Sequence, residues 1–185
     1  LVVCDDGLQH WALARDLEVL VIDGERRFGN ARLLPAGPLR EEASRARHVD
    51  FIVVNGGTPL ADEFPMRLVG SRAVAIGGGP RAINLQSLAG RTVHAVAGIG
   101  NPGRFFSMLE GFGITVIAHP LPDHHRYTGG ELEFGDELPV LVTEKDAVKC
   151  AAWADARVFV VPVEAELAPA FLEQLNRALH ECTGA

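Results

Sequence analysis

Leu1-Val2-Val3-Cys4-Asp5-Asp6-Gly7-Leu8-Gln9-His10 opens the chain with an apolar run that ends in two carboxylates and a glycine. An apolar stretch of this kind predicts a buried parallel strand that delivers acidic groups at its carboxyl end, where open α/β sheets carry their ligands. A hydrophobic strand closing on Asp also fits the carboxylate that holds magnesium beside a nucleoside triphosphate. The same residues equally fit a strand-end turn in which Asp5 or Asp6 caps a short crossover helix over residues 8–16. Two further apolar runs, residues 18–22 and 51–54, end at Asp23-Gly24 and at Asn55-Gly56-Gly57. Three such strands would bring three polar tips to one edge of a parallel sheet.

Between the second and third runs lies a loop, residues 25–40, rich in Gly and Pro, a length that in a compact domain marks a shaped functional segment. Six arginines (Arg26, Arg27, Arg32, Arg40, Arg45, Arg47) stand between positions 26 and 47 against two acids, Glu41 and Glu42. Guanidinium matches phosphate oxygens bidentately, so this patch suits an anionic group, or it is a solvated face. The whole chain of 185 residues carries a formal charge of -7, which argues against nonspecific nucleic-acid binding. No apolar run approaches the roughly 20 residues of a membrane-spanning helix. Three scattered cysteines, Cys4, Cys150 and Cys182, fit reduced thiols better than a disulfide frame or a zinc site.

Short strands over 66–69 and 73–76, split by Gly77-Gly78-Gly79-Pro80, read as a connection, with a domain boundary near residue 84. Beyond it the pattern alternates: strand 93–97, helix 103–110, strand 114–118, strand 140–142, helix 146–151, strand 158–161 and helix 168–181. Such alternation means a parallel, helix-covered sheet. The expected architecture is therefore α/β in two domains: an incomplete parallel sheet over residues 1–84, of P-loop NTPase type where Asp5 is a magnesium carboxylate, then a small Rossmann-like domain over 85–185.

Three motifs in the second domain carry chemistry. Gly98-Ile99-Gly100-Asn101-Pro102-Gly103 fits G-x-G-x-x-G between a strand and a helix, which opens the alternative of a dinucleotide-binding oxidoreductase domain. The next strand, however, ends in His119-Pro120 where a ribose-binding acid belongs. Asp123-His124-His125-Arg126-Tyr127 gathers imidazole, carboxylate and guanidinium, a set suited to proton transfer or transition-state charge and ill suited to zinc. Thr143-Glu144-Lys145-Asp146 has the spacing of a helix cap. G-x-x-x-x-G-K-[ST] is absent from these residues, so a magnesium-carboxylate strand at the start implies a phosphate loop upstream of Leu1.

Taken in order, Asp5-Asp6-Gly7-Leu8-Gln9-His10, Val21-Ile22-Asp23-Gly24, Arg26-Arg27-Phe28-Gly29-Asn30, Leu34-Pro35-Ala36-Gly37-Pro38, residues 97–105, Pro122-Asp123-His124-His125 and Thr143-Glu144-Lys145-Asp146-Ala147-Val148-Lys149 resemble the tetraacyldisaccharide 4'-kinase family, the lipid A kinases of Gram-negative bacteria. The resemblance covers the C-terminal two thirds or so of such an enzyme. It implies ATP and Mg2+ as cofactors, transfer of the γ-phosphate to the 4'-hydroxyl of a tetraacylated disaccharide 1-phosphate, and peripheral contact with the cytoplasmic face of the inner membrane. By the same resemblance Asp5 is the magnesium carboxylate with Asp6 beside it. Gln9 and His10 lie near that edge, and His124 or His125 approaches the reaction centre as the second domain closes. Arg26, Arg27 and Asn30 are then candidates for the anionic sugar substrate. The family's phosphate loop and catalytic base have no counterpart in these residues, so the chain alone is expected to be inactive.

Overall fold

A computed structural model describes residues 1–77, 79 and 81–184, with the side chain of Thr183 left out. The chain forms two compact units, Leu1–Leu68 with Ala165–Ala185, and Val69–Glu164. The sequence division near residue 84 differs at both ends, because the strands around that point are not linker and the C-terminal helix packs with the first unit.

In the first unit, β1 (Val19–Asp23), β2 (Phe51–Asn55), β3 (Phe64–Val69) and β10 (Glu164–Leu167) lie in that order with β1 at an edge and β2 parallel to both β1 and β3. Helix α3 (Pro169–Thr183) presents Phe171, Leu175 and Ala178 at helical spacing to the face of this sheet. Its Phe171 ring meets Phe51 edge-on at 5.6 Å and Phe64 at 5.4 Å, so three aromatic rings form the centre of the unit's core.

Two expectations for the opening stretch fail. Residues 1–4 form no strand; Leu1, Val2 and Val3 are almost fully exposed and pair with no described strand. A strand exists through its ladder, and apolar residues in extended form without neighbours do not make one. Residues 8–16 form turns rather than a helix. So short a segment cannot nucleate without a packing face, and its carbonyls are claimed elsewhere. The tips of the other two strands do meet: Asp23 pairs with Asn55, and a Cβ at Gly24 would lie 1.9 Å from the Gly56 carbonyl oxygen. Only glycine permits that crossing, and Gly56 and Gly57 add positive φ values of 67° and 60°.

The second unit holds a six-stranded sheet in the order β5-β4-β9-β8-β6-β7: β4 (Arg72–Ala75), β5 (Ala82–Asn84), β6 (Thr92–Ala97), β7 (Thr115–Pro120), β8 (Val140–Thr143) and β9 (Val158–Val161). The last four are mutually parallel as the alternation predicts. Strands β4 and β5 run antiparallel, so the sheet is mixed, and the segment read as a connection supplies its edge. Gly78 and Pro80, part of the expected split, lie outside the described residues. Helix α1 (Pro102–Glu110) covers one face with Phe105, Phe106 and Leu109. The other face is covered partly by α2 (Glu144–Cys150) and partly by the irregular segment that carries Tyr127, Leu132 and Phe134. Among the described residues no helix is long and apolar enough to cross a membrane.

Candidate active site

At the carboxyl ends of β6 and β8 the glycine loop and the Thr143-Glu144-Lys145-Asp146 motif join. Thr143 caps α2: its Oγ1 accepts the Asp146 N–H at 3.2 Å, and its hydroxyl donates to Asp146 Oδ2 at 2.7 Å. Asp146 is fully buried, accepts the Gly98 N–H at 2.9 Å and meets Lys149 Nζ at 3.2 Å. A Cβ at Gly98 would stand 3.0 Å from Asp146 Oδ1, 3.4 Å from the Pro122 carbonyl oxygen and 3.5 Å from His125 Cβ. Gly98 is therefore glycine because three segments converge on it. The first amide of the dinucleotide fingerprint is occupied by the chain's own carboxylate, whose charge would oppose a pyrophosphate there. The Tyr127 hydroxyl is buried nearby with no hydrogen-bond partner among the described residues. Burial first, then the Asp146 carboxylate, pushes its pKa up, and the same two causes push the Cys150 thiol up to about 11.

The histidine loop leaves β7 and hangs over this knot. His124 has a left-handed backbone (φ 60°) and an imidazole that is 80% exposed, 3.6 Å from Asp123 Oδ2. Asp123 also takes a hydrogen bond from Lys145 Nζ at 2.9 Å, the first cause that holds its carboxyl below the usual range. His125 is engaged: its Nε2 lies 2.8 Å from Glu131 Oε1, and its ring stands edge-on to Tyr127 at 5.4 Å. An ionised carboxylate only accepts, so Nε2 carries the proton and, in the neutral ring, Nδ1 keeps its lone pair. Glu131 further accepts the N–H groups of Thr128 at 2.9 Å and Gly129 at 3.0 Å. The His125 bond first, then these amides, holds Glu131 down to about 2. One imidazole is thus fixed and its neighbour presented to solvent.

In the first unit, Arg15 organises the stretch that opens the chain. Its guanidinium donates to the carbonyls of Gly7 at 3.0 Å, Leu8 at 3.1 Å and His10 at 2.9 Å, and pairs with Glu18 at 3.1 Å. Asp6, at φ 51°, forms a two-pronged pair with Arg40, the cause of its lowered pKa. Asp5 is exposed and makes no ion pair among the described residues. Its hard carboxylate oxygen fits Mg2+, which takes one or two carboxylates and completes its shell with water and phosphate. The described residues contain no group of three or more His, Cys, Asp or Glu able to hold a metal by themselves. His10 is exposed, and Gln9 Oε1 is buried without a hydrogen-bond partner among the described residues.

The arginine patch divides in two. Arg27 forms a bidentate pair with Glu63, and Arg45 meets both Glu18 carboxylate oxygens at 2.7 Å. Arg26, Arg32 and Arg47 are exposed with no ion pair among the described residues. Asn30 braces its own loop: Nδ2 donates to the Ala36 carbonyl at 2.9 Å and Oδ1 accepts the Arg32 N–H at 3.1 Å. That leaves Arg26, of the three substrate candidates, with an uncommitted charge. Arg15, Glu131 and Glu63 were not singled out from sequence. Glu131 had a legible signal, since Thr128-Gly129-Gly130-Glu131 spaces an acid three residues after a capping hydroxyl.

Both units carry their glycine turns and charged loops at the carboxyl ends of parallel strands, which defines an open-sheet α/β protein with its candidate site at the edge where such sheets place ligands. The family model for tetraacyldisaccharide-1-P 4'-kinase matches residues 1–180. The chain belongs to this tetraacyldisaccharide 4'-kinase family. It is 54% identical over 188 residues to the tetraacyldisaccharide 4'-kinase of Xanthomonas campestris pv. campestris, covering 92% of this chain and 53% of that protein. The namesake from Methylobacillus flagellatus is 51% identical over 175 residues, 95% of this chain and 52% of its own. A crystal structure of LpxK from Aquifex aeolicus in complex with ATP superposes with a TM-score of 0.67 at 27% identity, over 95% of this chain and 55% of that one. The chain spans about half the length of the curated relatives it matches.

Proposed function

We propose that this chain is part of a kinase that transfers the γ-phosphate of ATP to the 4'-hydroxyl of a tetraacylated disaccharide 1-phosphate in lipid A biosynthesis. The observation that carries the reading is the family match over residues 1–180, which runs through both units and all the motif blocks. Phosphoryl transfer asks a protein for positioning and charge stabilisation more than for covalent chemistry, and these residues offer both.

Asp5 would hold Mg2+, which neutralises charge on the nucleotide phosphates when bound. Asp6, fixed by Arg40, supports the turn that presents Asp5. Gln9 and His10 complete that edge. Arg26, exposed and without an ion pair, would meet an anionic group of the substrate, while Arg27 and Asn30 keep their loop in shape. In the second unit His124, backed by Asp123, is the imidazole available to the reacting groups, and His125 is the one held in place by Glu131. A lipid substrate agrees with peripheral contact at the cytoplasmic face of the inner membrane; the exposed arginines suit anionic headgroups there.

The test uses the complete protein, ATP and the disaccharide lipid. Asp5→Ala should abolish ATP-dependent phosphorylation while the protein remains folded. Turnover at the wild-type rate in that variant would remove the magnesium role, and a complete protein without any lipid phosphorylation would remove the kinase reading.

A further inference from the structure

Strand β6 is buried along nearly its whole length, yet its third residue is a histidine that is 4% exposed. His94 Nδ1 lies 2.9 Å from Nε2 of His119 on β7, and His94 Nε2 lies 3.0 Å from Asp136 Oδ2. Phe134 stacks on both imidazoles, with ring centroids 3.9 Å from His94 and 4.2 Å from His119. Asp136 and Phe134 belong to the irregular segment that covers this face of the sheet in place of a helix, and Glu131 lies on the same segment just before them.

Hydrogen-bond chemistry fixes the protons along this row. Asp136 only accepts, so His94 Nε2 carries a hydrogen. A contact of 2.9 Å between two ring nitrogens holds one hydrogen and one lone pair. The row is therefore intact when the pair is neutral or singly charged. With both rings charged, N–H faces N–H. Asp136 and the face of Phe134 suit one positive charge. The other groups facing the row do not welcome a second. Arg157 donates to the Asp136 carbonyl and is itself paired with Asp155, with Glu137 nearby, while β8 contributes apolar Val140 and Val142.

We propose that Asp136, His94 and His119, with Phe134 across them, form a proton-sensitive clamp that holds residues 121–137 on the sheet and thereby positions Glu131 and His125. On acidification the rings take up protons from water until both are charged and the lone pair between them is filled, their contact is lost, and the covering segment loosens. In this clamp the four act as positioning residues. His119 is already harder to protonate than an ordinary histidine, through burial and the charge of His94, which agrees with a row that resists its second proton. The consequence for catalysis rests on the kinase reading above, whereas the clamp itself does not.

The experiment is amide hydrogen exchange on the complete protein, corrected for intrinsic rates, at about pH 7.5 and about pH 5.5, the range in which histidine pairs change charge. Protection across residues 129–137 should fall about tenfold or more at the lower pH while strand β8 keeps its protection. His119→Phe, which retains a ring against Phe134 and has no nitrogen, should remove that step. It should also remove the acid limb from the pH profile of kcat, with KM unchanged. Equal protection of the wild type at both pH values overturns the clamp without need of any variant. So does the same step persisting in His119→Phe. A complete protein that shows the step yet phosphorylates no lipid supports the clamp and sinks the kinase reading instead.

Discussion

Gly98 is the residue on which the second unit's chemistry turns, because Asp146, Pro122 and His125 all approach the place where its side chain would be. Two of these neighbours are fixed, Pro122 through its backbone and Asp146 through bonds to Thr143 and Lys149. Gly98→Ala should therefore destabilise the protein by about 1–3 kcal/mol, the cost of overpacking, read as a lower urea midpoint. Asp146→Ala should cost about 3 kcal/mol or more, since it leaves the Gly98 N–H and the Lys149 ammonium without their buried acceptor. The adjacent histidines separate by the same reasoning. His124→Gln should lower kcat of the complete protein by about a hundredfold or more with little loss of stability, as for removal of a reacting-group imidazole. His125→Gln should instead lower stability together with activity, because it cuts the Glu131 bond. Equal kcat losses with equal midpoints would contradict the division of labour.

Elements of regular structure were legible where periodicity and packing agree. Strand β6 and helices α1 and α3 formed near their expected bounds because each has an apolar face that another element covers, and β7 formed near its own as the parallel edge partner of β6. The opening ten residues did not follow. Their apolar run reads as a strand, but a strand needs a ladder, and what shapes the segment is Arg15 gathering its carbonyls, a contact with no sequence signature. The short strand expected over 73–76 matches β4 but belongs to the second unit's sheet rather than to a connection, and the edge strands β5 and β10 carry too little alternation to be read at all. His94 and His119 were legible in principle as two histidines interrupting apolar strands; their pairing depends on register, which periodicity does not supply. The cap of α2 gives a test at this scale. Thr143→Ala removes its side-chain acceptor and should cost about 1 kcal/mol, and Thr143→Ser, which keeps the hydroxyl, should restore most of it. In the first unit Phe171→Ala should cost about 3–5 kcal/mol by emptying the three-ring cluster.

On the acid side the titrating groups of the whole molecule point one way, whereas the raised Tyr127 and Cys150 act only at alkaline pH. Glu131 is held down to about 2 against an ordinary 4.5, so the unfolded chain binds its proton first as the pH falls. Its contribution to stability is complete above about 4.5 and is lost as acidity carries the folded protein toward 2. His119, lowered from 6.5, has the same sign in a higher window: its contribution is complete above the unfolded value and declines below it. The exposed pairs Asp6–Arg40 and Arg67–Glu166 share the direction, but water screens them and they add little. Stability of the complete protein should therefore fall on acidification in two stages, a first below about pH 6.5 and a steeper one below about pH 4.5. Urea midpoints across a pH series measure both. Glu131→Gln should flatten the lower stage and His119→Phe the upper, each leaving the other in place, because the two groups are separate sources of proton linkage. A midpoint constant from neutral pH down to about 4 would show that neither group binds protons differently in the folded and unfolded chain.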